Sequence, residues 1–79
     1  MKDGKGVKGS NGFFEVFLKL MNHGKEIGRT CLQLRASSPF MAAAEADRII
    51  DDRYGENVVA RTLRVDEISE EEFLYVQVA

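Results

Sequence analysis

Few residues in this chain are of a type and spacing that could do chemistry. There is one histidine, His23, directly before Gly24, and one cysteine, Cys31. No second His, Cys or carboxylate cluster stands at metal-ligand spacing from His23. Cys31 lacks the partner that an internal disulfide or a cysteine metal site requires, so its expected role is packing. The segment KDGKGVKG has glycines but lacks the Gly-Lys-Ser/Thr ending of a phosphate-cradling loop, and no strand precedes it. Carboxylates are plentiful, yet none lies in an apolar setting that would raise its pKa into a catalytic range. The expectation is therefore a non-enzymatic protein with no catalytic residue, cofactor or metal, and with His23 as a turn residue.

The elements around these residues support that reading. FFEVFLKLM (13–21) alternates as a strand with Phe14, Val16, Leu18 and Leu20 on the core side. EIGRTCLQLR (26–35) is a second strand, and the loop between them decides which of its sides is buried. A two-residue loop, His23-Gly24, pairs Leu20 with Ile27 and sets Arg29 and Gln33 beneath Leu18 and Phe14. A three-residue loop, Asn22-His23-Gly24, instead matches Leu32 with Phe14 and Thr30 with Val16, and is preferred because it buries no charge. That register leaves Phe13, Phe17, Met21, Ile27 and Cys31 on the outer sheet face. So apolar a face calls for a cover or a partner, a second copy of the chain included.

SSPFMAAAEADRIIDDRYG (37–55) is the most strongly signalled element. Ser38 is the expected N-cap, Pro39 the first helical residue and Gly55 the C-cap. Ala42, Ala43, Ala46, Ile49, Ile50 and Tyr54 share one helical face, and Glu45, Arg48 and Asp52 form a ladder on another. Asp51 and Asp52 fall in the last turn, where the helix dipole disfavours negative charge. NVVARTLRV (57–65) predicts a third strand with Leu63 and Val65 inward, its alternation broken at Arg61. FLYVQV (73–78) predicts a fourth. Between them Ser69 and Glu72 have capping-box spacing.

Direction counting then gives an α+β, two-layer sandwich: a four-stranded antiparallel sheet, β-β-α-β-β in the order 2-1-3-4, with one helix on one face. Residues 1–12 read as a flexible basic Gly/Lys-rich tail and 13–79 as a single domain. The length suits one domain, and 44% hydrophobic with 30% charged residues is an ordinary globular composition. Net charge is -2; Lys2, Lys5 and Lys8 against Asp3 make the tail basic and leave the rest acidic. No apolar run is long enough to span a membrane and the tail lacks the apolar core of a secretory signal, so a cytoplasmic location is expected. From Asp66 onward there are five acidic residues and no basic one. Asp66, Glu67, Glu70, Glu71 and Glu72, joined by Asp51 and Asp52, form the candidate surface for a basic protein partner. Phe13, Phe17, Met21 and Ile27 form the alternative partner face.

The succession of GFFEV opening a strand, HGKEIGR turning into the next, and ASSPFMAAAEA entering an alanine-rich helix resembles the small phage-encoded anti-CRISPR proteins that act on type I systems. The resemblance covers residues 12–46, rests on turn, cap and alanine positions, and does not extend past Tyr54. It implies an inhibitor that occupies a surface of a multi-subunit, nucleic-acid-binding effector complex, and it carries over no binding residue. The rivals are a small RNA- or ribosome-associated module, with the Lys-rich tail on phosphates and Phe13 and Phe17 on bases, and a dimerising structural or accessory domain.

Overall fold

The structure, a computed structural model, describes residues 11–73. Strand β1 (Gly12–Asn22), strand β2 (Lys25–Ala36), helix α1 (Pro39–Tyr54) and strand β3 (Val58–Ile68) follow in that order. Among the described residues the sheet has three antiparallel strands ordered β2-β1-β3, with α1 on one face. The α+β, two-layer arrangement and the 2-1-3 order agree with expectation. The four-stranded sheet does not: Leu74 to Ala79, most of the expected fourth strand, lie outside the described residues, and Phe73 belongs to a helical turn instead. Most of the expected tail also lies outside them, although Gly12 already pairs with Ala36 in the sheet.

The hairpin corrects the expected register. His23 and Gly24 form a two-residue turn, with φ of 52° and 79°. Two successive positive φ values are what a type I′ turn requires, and its twist matches that of the strands it joins. Phe14 stands opposite Leu34, Val16 opposite Leu32 and Leu18 opposite Thr30, two residues away from the register of a three-residue loop. The register shifts between Leu20 and Met21, leaving Ile27 as an extra residue on β2. That bulge restores the parity that a two-residue turn alone would lose, so Thr30, Leu32 and Leu34 still face α1.

A second bulge lies in β3, where Phe17 pairs with Arg64 but Leu18 with Thr62. Leu63 is the extra residue and is 46% exposed, so it does not join the core as its alternation suggested. Val65 does turn inward, with Val58 and Ala60 taking the inner positions before the bulge.

The core is Phe14, Val16, Leu18 and Leu20 from β1, Leu34 and Ala36 from β2, and Ala42, Ala46 and Ile50 from α1. No polar or charged side chain among the described residues is buried with them. Ala42 and Ala46 are fully buried, as expected where a helix backbone lies close on a sheet. Tyr54 does not join the buried helix face and is 46% exposed. The Met41 N–H donates to Ser38 Oγ at 3.1 Å, and the Gly55 N–H donates to the Asp51 carbonyl at 2.8 Å, so both helix ends are capped as read from sequence. Arg48 bridges Glu45 and Asp52 on the exposed side. Replacing Arg48 with Ala should lower the melting temperature by only a few degrees, because exposed helical pairs contribute roughly 0.3–0.5 kcal/mol each; thermal denaturation followed by circular dichroism measures it.

Candidate functional site: the outer face of the sheet

The face of the sheet turned away from α1 is built in rows, because side chains directly opposite one another on the three strands share a face. The row nearest the turn is Glu26, Met21 and Val59, and the one after it is Arg29, Lys19 and Arg61. Next come Cys31, Phe17 and Arg64, then Gln33, Glu15 and Asp66, and last Arg35, Phe13 and Ile68. Successive rows lie about 7 Å apart along the strands. Phe13, Phe17 and Met21 thus lie on the outer face as expected, all half-buried. Ile27 sits in the bulge and is 55% exposed.

Both phenylalanines are engaged. The Arg64 guanidinium lies 4.4 Å from the Phe17 ring centre, and that of Arg35 lies 5.6 Å from Phe13. Phe73 tilts against Phe13 with ring centres 4.8 Å apart. It is placed there by the turn after β3, where the Ser69 N–H donates to Glu72 Oε1 at 2.9 Å and the Glu72 N–H donates to Ser69 Oγ at 3.1 Å. The capping box read from sequence therefore delivers an aromatic cover to one end of the face.

The polar groups between the rings are tied to one another. Gln33 Nε2 donates to Glu15 Oε2 at 2.9 Å, while Gln33 Oε1 is buried and accepts no hydrogen bond among the described residues. Arg64 Nε lies 2.9 Å from Asp66 Oδ2, and Arg29 Nε lies 2.8 Å from Glu26 Oε2. The hydrogen bond from Arg29 holds Glu26 below the usual carboxylate range.

Cys31 is exposed on this face. Local desolvation, followed by the hydrogen bond and charge of Glu15, pushes its thiol up to about 11. A thiol that stays protonated at neutral pH is a poor nucleophile. Iodoacetamide modification of the native protein should therefore remain slow from pH 7 to 9 and accelerate as pH approaches 11; an inflection near the ordinary thiol value, about 8.5, would show that Glu15 and burial do not act on it. The sign for stability follows from the same shift. Because the folded-state value is raised, this group lowers stability as pH climbs from about 8.5 toward 11 and has no effect below that window.

The acidic candidates do not form one surface. Asp51 and Asp52 end α1 near Val58, which pairs with Asn22 at the turn end of the sheet. Glu70, Glu71 and Glu72 follow Ile68, which pairs with Phe13 at the other end, about 30 Å away along the strands. Asp52 is bonded to Arg48, Asp66 is paired with Arg64, and Glu72 closes the capping box. Glu67 stands opposite Phe14, on the helix side of the sheet. Glu70, Glu71 and Glu72 share a single exposed turn, at the same end of the sheet as Asp66 and Glu67.

The chain matches no family model, and no curated protein and no solved structure matches it.

What sequence reasoning missed is the cation row. Lys19, Arg29 and Arg61 come from three strands, and their alignment depends on the two bulges. Their basic character was visible in the sequence; their adjacency was not. Among the described residues, no group of three His, Cys, Asp or Glu side chains is placed to hold a metal ion, and no helix is long and apolar enough to cross a membrane.

Proposed function

We propose that this chain is a non-enzymatic binding protein whose working surface is the outer face of its sheet. The observation that carries the reading is the row Arg29, Lys19 and Arg61 set beside Phe17 under Arg64. Like charges directly opposite on a sheet are unfavourable. Of the three only Arg29 forms an ion pair with a described carboxylate, Glu26, whose charge also acts on Lys19, and Arg61 has no such partner among the described residues. Fold stability gives no reason for such a row, whereas recognition of an anionic partner does. Affinity capture from the source cell with wild type, Phe17→Ser and the helix-side variant Arg48→Ala is the test. Capture should be lost in Phe17→Ser and kept in Arg48→Ala; the opposite pattern would move the working surface to α1.

The inhibitor that the resemblance implies is the second reading, and Glu70 with Glu71 favours it. Both are exposed beside the Phe13–Phe73 end of the sheet, where they could engage a basic site of an effector complex. Converting both to lysine should abolish capture if this reading holds, and leave it intact if the cation row alone is at work.

A further inference from the structure

The outer face carries chemistry specific enough to name a ligand class. We infer that it binds single-stranded RNA, an assignment that rests on the outer face being the working surface. Three features of the face support it together.

The first is charge. Although the chain is net acidic, the outer positions of the three strands hold Lys19, Arg29, Arg35, Arg61 and Arg64 against Glu15, Glu26 and Asp66. Two of those carboxylates, Glu26 and Asp66, are already paired with arginines on the same face. The row of three cations spans about 10 Å across the strands, and it offers a concentrated site for phosphates.

The second is the aromatic line. Phe13 and Phe17 lie two rows apart, about 13 Å along β1. Each is topped by a guanidinium plane, and Phe73 also tilts against Phe13; a base can stack on either plane or, at Phe17, take the guanidinium's place on the ring. Bases already stacked and paired inside a duplex cannot be reached this way, which selects a single strand.

The third is the acceptor row between the two rings. The half-buried Glu15 carboxylate stands in that row, with one of its oxygens accepting from Gln33 Nε2. A ribose 2′-hydroxyl can donate a hydrogen bond to such an acceptor where deoxyribose cannot, and this favours RNA over DNA of the same sequence.

Fluorescence anisotropy with the full chain tests the inference. The probes are a short labelled single-stranded RNA of mixed sequence, the DNA of the same sequence, and the RNA duplex. The single-stranded RNA should bind with Kd on the order of 1–100 µM at physiological salt and weaken as salt rises. The DNA should bind less tightly and the duplex least. Lys19→Glu combined with Arg61→Glu should cost about tenfold or more at low salt and flatten the salt dependence. Phe17→Leu should cost roughly tenfold while leaving the salt dependence unchanged, and Glu15→Ala should narrow the gap between RNA and DNA. Arg48→Ala should bind as wild type does.

No saturation with RNA at about 100 µM would overturn the assignment, as would equal binding of RNA and DNA or wild-type affinity in the double reversal. If RNA fails to bind while Phe17→Ser still abolishes capture from the source cell, the ligand class falls and the working surface stands. If RNA binding survives every outer-face variant and is lost in Arg48→Ala, both fall.

Discussion

Leu18→Ala should lower the melting temperature by about 15 °C or more, while Leu63→Ala should change it by only a few degrees. Leu18 is fully buried at the middle of the central strand, between Thr30 and Thr62, and faces α1. Removing three carbons there leaves a cavity that the flanking strands cannot close, and such truncations cost about 2–5 kcal/mol. A domain of this size loses roughly 4–8 °C for each kcal/mol. Leu63 is also a leucine in a strand, but the bulge puts it 46% in solvent. Thermal unfolding of the two variants side by side tests the register of β3 as well as the core. Equal losses would place Leu63 in the core and remove the bulge.

Gly24→Val should be the most damaging single change at the surface, with a loss of about 1–3 kcal/mol. Gly24 has φ 79°, a region that a β-branched residue reaches only with strain. A Cβ at Gly24 would meet no atom within 4 Å, so the cost is conformational rather than a clash. Gly24→Asn should therefore keep most of the stability, because asparagine tolerates the left-handed region. His23→Ala should lie near wild type in stability and in partner capture, since His23 is exposed and already sits at φ 52°. Chemical denaturation of the series gives the order directly. A Gly24→Val variant as stable as wild type would exclude the two-residue turn, and a large loss in His23→Ala would give His23 a role beyond the turn.

How much of this was legible can be seen in five residues. Ser69 and Glu72 were readable because a capping box is local: its partners are three residues apart and need nothing else in the molecule. Ala42 and Ala46 were readable because a helix face repeats with fixed geometry, and small residues on it show where a sheet comes close. Tyr54 belongs to the same face on the wheel but is 46% exposed, because ideal helical spacing gives direction around the axis and not what lies opposite it.

The strands divide differently. The alternation from Phe14 to Leu20 sets the inner side of β1 by sequence alone, since burying four apolar side chains together outweighs any local preference. The caps at Ser38 and Gly55 and the extent of α1 were likewise determined locally. The register was not. A two-residue turn and a bulge give the same inner parity as a three-residue loop, and only the pairing across the whole ladder separates them. In β3 the break near Arg61 announced an irregularity, but whether it turned Leu63 in or out depended on what stood opposite on β1. The outer face depended on both choices. Lys19, Arg29 and Arg61 are isolated charges in the sequence, and they become one row because tertiary pairing brings residues from three strands into line. The acidic residues went the other way: clustered by composition, they were separated to opposite ends of the sheet because α1 runs back along its length.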